Sequence, residues 1–232
     1  MLNVSKKNLI VVAVVAVALL ASAASAVVEI RVSQESSAGA NDFSSHVLGT
    51  INAREYSTGT AVEFYNYSDS EWHGTWPAPL VSDRTHVFFV NASDGLSLFV
   101  VHDDSNGSGN AAMKFELSGD TNGAGWMVQD EPSPNDTYNI NGNVFTASHV
   151  WGDYVDGFAI GSLDGDAWSM LGEFTSAPTG ITSLAAYSDG GSTIALNMTT
   201  GRRVKYEVVP EPATMSLLGL GGLLALVRRR RK

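Results

Sequence analysis

Acid–base or metal chemistry in this chain would have to come from 24 Asp+Glu and 5 His, since there is no cysteine. Thiol catalysis and thiolate metal sites are therefore excluded. The histidines, His46, His73, His86, His102 and His149, stand too far apart for a local zinc pattern. No Gly-x-Ser-x-Gly, His-Glu-x-x-His, phosphate-cradling loop or dinucleotide fingerprint occurs. Glycoside hydrolysis needs two carboxylates about 5–10 Å apart, and residues i and i+2 of a strand share a face. Asp164 with Asp166, and Glu29 with its neighbours, are the loosely suitable positions, but Asp164-Gly165-Asp166 reads as a turn. The sequence predicts no catalytic residue.

Two weaker patterns point to binding. Hard cations take oxygen ligands from Asp, Asn and the carbonyls of Gly-rich turns. Asp103, Asp104 and Asn106 in one loop, and Asp120 and Asn122 in another, supply such oxygens. They predict a Ca2+ site, set against the plainer reading of turn residues chosen for backbone geometry. Neither loop completes the twelve-residue calcium pattern. Trp72 and Trp76 lie in a Pro/Gly-flanked stretch, and exposed indoles stack on sugar rings; tryptophans that plug the end of a core are the alternative. His149–Phe158 is dense in aromatics and acids and fits either a rim pocket or a buried Trp beside a turn.

The elements that must position these residues read as strands. Met113–Leu117 and Val204–Val208 alternate with period two, the mark of strands with one buried face. Further β-branched and aromatic runs are Val27–Val32, Ala61–Tyr67, Thr85–Val90, Leu96–Val101, Gly125–Gln129, Phe158–Leu163, Ile181–Tyr187 and Thr193–Met198. Gly, Asn, Asp and Ser clusters separate them. The expected fold is all-β, an antiparallel β-sandwich with a jelly-roll-like order, spanning residues 27–208. Glu131–Asp136 reads as a long loop within it.

The charge distribution divides the chain into three. Lys6 and Lys7 at one end and Arg228, Arg229, Arg230, Arg231 and Lys232 at the other hold seven of the 14 Lys+Arg and no acid. Residues 27–212 therefore carry all 24 acids against seven bases, a formal −17. That balance excludes a nucleic-acid binder working through a basic face. At the N-terminus, Lys6 and Lys7 precede a 12-residue apolar run, Leu9–Leu20, and a small-residue stretch, Ala21–Ala26. Residues 1–26 thus predict a signal peptide, with Ala24 and Ala26 at the signal peptidase site. At the C-terminus, the uncharged run Ala213–Val227 would rise ~22 Å as a helix, short for a ~30 Å hydrocarbon core. With the basic tail 228–232 held on the cytoplasmic side, it predicts a short transmembrane helix during sorting.

Pro210-Glu211-Pro212, the Leu/Gly-rich segment after it and the terminal Arg cluster, together residues 209–232, resemble the PEP-CTERM sorting signal of bacteria. The resemblance implies recognition by exosortase, a membrane-embedded cysteine transpeptidase-like enzyme. Removal of the tail and delivery to the cell surface or extracellular polysaccharide matrix would follow. Pro210, Glu211 and Pro212 would be read by that enzyme and would not be catalytic residues of this chain. The expected function is that of an exported structural or interaction protein. A carbohydrate-binding module, with or without calcium, is the alternative, and a matrix polysaccharide hydrolase the third reading.

Overall fold

Strand-forming residues in this chain alternate where one face is buried and run continuously where both are. β1 (Glu29–Gln34), β2 (Val47–Asn52), β3 (Arg54–Tyr56), α1 (Ala61–Tyr65), β4 (Arg84–Ala92), β5 (Gly95–His102) and β6 (Ser108–Gly119) form the first half. The second half adds β7 (Gly125–Gln129), β8 (Thr137–Asn141), β9 (Val144–Gly152), β10 (Asp156–Gly161), β11 (Trp168–Phe174), β12 (Ser183–Tyr187), β13 (Thr193–Leu196) and β14 (Val204–Val208). This computed structural model describes residues 27–66, 76–77, 79–104, 107–121, 123–130, 136–152, 155–163, 165 and 167–209. The expected signal peptide, sorting motif and C-terminal helix lie outside them. Among the described residues no helix is long and apolar enough to cross a membrane.

The fold is nearly all-β and sandwich-like. One sheet runs β2-β1-β14-β11-β6-β9-β8 and the other β13-β12-β4-β5-β10-β7, with β3 also on β4. Pairing is antiparallel except at β4, which receives β12 and β3 in parallel at its two ends. In β6 and β11 the alternate residues Met113, Phe115 and Leu117, and Trp168, Met170 and Phe174, point inward. They meet Val87, Phe89, Leu98, Val100, Phe158 and Ile160 of the facing sheet in one apolar cluster.

β4 and β5 are buried on both faces, so they read as unbroken apolar runs rather than as alternation. The outward set Phe88, Val90, Phe99 and Val101 forms a second cluster under Ala61, Phe64 and Tyr65 of α1. Here the expectation of a strand over Ala61–Tyr67 is corrected. The Thr60 hydroxyl accepts from the Glu63 N–H at 3.2 Å, and the Glu63 carboxylate accepts from the Thr60 N–H at 2.7 Å. This reciprocal capping box starts a one-turn helix, and Asn66, at φ 48°, ends it. Local capping and the apolar sheet face beneath outweighed the strand propensity of Val62, Phe64 and Tyr65.

Candidate functional site

The densest gathering of titratable side chains is buried at the end of the sandwich where β5, β7, β8, β9 and β10 meet α1. β9 alternates, so Phe145, Ala147, His149 and Trp151 all face the core. Asp156 opens β10 and Asp136 precedes β8, and both are buried. The Gly157 N–H donates to Asp156 at 2.7 Å and the Val150 N–H to Asp136 at 3.0 Å. Asp130 accepts from the Tyr65 hydroxyl at 2.6 Å, and Tyr138 donates to the Asp130 carbonyl at 2.7 Å.

Burial pushes the Asp156 carboxyl up to about 9, reinforced by the charges of Asp136 and Asp130 and by a hydrogen bond with Asp136. Burial pushes His149 down to about 3, so its 3.4 Å contact with Asp156 joins two neutral groups at pH 7. Neither ring nitrogen of His149 is in hydrogen-bonding geometry with a described residue. His102 is also driven down, first by burial and then by His149 and His86; its ring stacks on Trp151 at 5.2 Å. Burial raises Tyr65 and Tyr138, with nearby carboxylates adding to it. Burial thus favours the uncharged form of every one of these groups: Asp156, Tyr65 and Tyr138 keep their protons, whereas His102 and His149 stay unprotonated. Among the described residues no group of three His, Cys, Asp or Glu side chains is arranged to hold a metal ion.

Asp103 is buried at the end of β5, with φ 65°. One carboxylate oxygen accepts from the N–H groups of Asp83 and Asp104 at 2.7 and 2.9 Å, and the other from Trp151 Nε1 at 3.3 Å. Asp104 accepts from the Ser82 hydroxyl. Gly107 folds back so closely that a Cβ there would lie 1.7 Å from the Asp103 carboxylate. Asp120 follows the far end of β6. The Asp103 and Asp120 loops flank opposite ends of that strand, 12 residues rising ~3.3 Å each. The structure therefore does not bring the two candidate calcium loops together. Asn106 and Asn122 lie outside the described residues, as do Trp72, Asp164, Asp166 and His73. Trp76 is half-buried against the second cluster, edge-on to Phe88 at 5.2 Å and to Tyr187 at 6.4 Å.

Sequence reasoning missed Asp130, Asp136 and Tyr138 as partners of His149 and Asp156. The alternation of Phe145, Ala147, His149 and Trp151 was the available sign that this histidine faces inward.

The other notable site is the end of β14. β14 pairs with β1 in antiparallel register, Ile30 opposite Val208, and the Val209 N–H donates to the Glu29 carbonyl at 2.8 Å. Beyond this bond comes Pro210. Residues 208–232 match the PEP-CTERM protein-sorting motif. The PEP-CTERM match starts on the last residue of β14, so no linker separates strand and motif. It implies exosortase-dependent sorting of an exported, cell-surface-directed protein. Ala24 and Ala26, the expected signal peptidase positions, and the motif residues Pro210, Glu211 and Pro212 lie outside the described residues. No curated protein and no solved structure matches the chain significantly.

Proposed function

We propose that this chain is an exported β-sandwich with a structural or interaction role at the cell surface or in the extracellular matrix, and with no catalysis of its own. A signal peptide over 1–26 would be removed after Ala26, and the 213–227 segment would hold the chain in the membrane until exosortase removes it. The observation that carries the reading is the join of a sorting motif to β14. The burial of His102, His149, Asp130, Asp136 and Asp156 supports the non-catalytic part, because these groups lie inside the sandwich and away from any polymer. The −17 domain agrees with a matrix role in which cations bridge it to anionic polymers.

Mass spectrometry of the mature termini, in cells with and without exosortase, tests the reading. A C-terminus that stays intact in exosortase-bearing cells would overturn it. Carbohydrate binding is the second reading, favoured by Trp76, which is half-buried rather than fully enclosed. Affinity electrophoresis in neutral and anionic polysaccharide gels tests it: retardation that Trp76→Ala abolishes would support the reading, and equal mobility of both forms would remove it.

A further inference from the structure

The junction at Val209 bears on how the tail is removed. On its β11 side, β14 pairs only as far as Glu207, opposite Ser169. On its β1 side, pairing continues to Val208 opposite Ile30 and ends with the Val209–Glu29 bond. In the backbone ladder the last two residues before Pro210 are thus held by β1 alone, while the Val208 side chain also packs against the core. β1 is in turn held by β2, where Glu29 stands opposite Asn52 and the Ala53 N–H donates to the Val28 carbonyl at 2.8 Å. Beyond Asn52, Arg54 and Asp189 form an ion pair at 2.8 Å, and the Asp189 N–H donates to the Asn52 carbonyl at 2.9 Å. Pro212 is three residues beyond Val209, at most ~11 Å of extended chain. An enzyme that grips Pro210–Pro212 in a cleft must come against the sandwich at this point. To grip the residues just upstream in extended form, it must first take them out of the ladder.

We infer that the end of the sandwich formed by Glu29, Asn52 and the clasped Val208–Val209 is the surface that abuts the tail-processing membrane enzyme, and that opening of this clasp limits tail removal. The inference rests on the sorting reading above. Strand ends open locally at low cost, and a backbone hydrogen bond contributes about 0.5–1.5 kcal/mol net. The clasp therefore slows processing by about two- to tenfold without blocking it. The cut falls C-terminal to Val209, because in the closed clasp β14 is paired with β1 up to that residue.

The test is a pulse-chase of the full chain in cells with and without exosortase, comparing wild type with a variant carrying six Gly/Ser residues between Val209 and Pro210. The insertion lies after the last strand and leaves the sandwich intact. Tail loss about two- to tenfold faster in the variant, with a wild-type C-terminus beyond Val209, supports the inference. An equal or slower rate, or a wild-type C-terminus inside β14, overturns it while leaving exosortase sorting in place. A wild-type tail that persists in exosortase-bearing cells overturns the sorting reading and this inference with it. A second pair of chains carries Arg31→Cys with Glu207→Cys, residues opposite one another on the outward face of the same ladder. Slower tail loss when this pair is oxidised than when it is reduced, under treatment that leaves the rate of the cysteine-free wild type unchanged, supports the clasp, and identical rates overturn it.

Discussion

The Val209 N–H donates to the Glu29 carbonyl at 2.8 Å, joining the first strand of the sandwich to the last residue before Pro210. The first and last strands, β1 and β14, are thus neighbours in one sheet.

Stability should peak near pH 6.5. His86 is buried; its Nε2 accepts from the Val81 N–H at 3.0 Å, so its proton sits on Nδ1 and points to the Val101 carbonyl at 3.2 Å. Burial holds His86 at about 4 and His149 at about 3, and also lowers His102. Folded values below the unfolded ~6.5 mean that the unfolded chain takes up protons first on acidification. Their contribution is complete above ~6.5 and is lost as pH falls towards 4 and 3, by up to about 1.4 kcal/mol per pH unit for each. Asp156 works in the opposite sense. Held at about 9 against 3.8, it keeps a proton that the unfolded chain releases, so its contribution declines from about pH 3.8 to 9: below 6.5 it offsets the slope of one histidine, and above 6.5 it makes stability fall. Urea titrations from pH 4 to 9 check the shape, and a flat profile would contradict the buried cluster.

Glu35→Gln should cost about 2–3 kcal/mol at pH 7. Glu35 is fully buried, and burial alone would raise it. Hydrogen bonds from the Arg203 guanidinium at 2.5 and 3.2 Å and from the backbone N–H groups of Arg203 and Asn41 outweigh this and hold it at about 2. With the folded value below the unfolded one, the contribution is present above ~4.5 and disappears as pH falls towards 2. Denaturant melts of wild type and variant should therefore converge in acid.

Asp103→Ala should destabilise the protein by about 2–3 kcal/mol, because it strips acceptors from two backbone N–H groups and from Trp151 Nε1. The loss should be equal with calcium and with chelator if the carboxylate serves the turn. A loss that grows with added calcium would make Asp103 a ligand instead. Thermal melts in both conditions decide.

Gly180→Ala should cost at least about 2 kcal/mol. Gly180 has φ +73°, and a Cβ there would lie 2.0 Å from the Ser108 carbonyl oxygen. The adjacent bridge between Asn110 and Thr179 fixes this approach from both sides. Thr60→Ala, which removes the capping box of α1, should cost about 1 kcal/mol.

Alternation at Met113–Leu117 and Val204–Val208 was legible because one face of each strand is wet, and the outcome follows the pattern. Ala61–Tyr65 was misread because five residues are too few to show a helical period, and the deciding sign was the Thr60-x-x-Glu63 cap. β2, β3, β8, β9 and β11 are not among the runs read as strands: β2, β3 and β8 show little buried alternation, with four of five residues of the edge strand β8 exposed, whereas the alternation of β9 and β11 was there to be read.

By itself the sequence determined the strand-rich class, the acidic middle, the absence of thiol chemistry and the sorting motif, because these depend on composition or on residues adjacent along the chain. Only the tertiary structure decided which distant residues meet. It put Asp130, Asp136, His149 and Asp156 into one buried cluster, parted Asp103 from Asp120 by the length of β6, and laid Glu29 beside Val209. The physical reason is that strand pairing and burial are long-range. They are set by which apolar faces close on one another, and a local pattern names the face but not its partner.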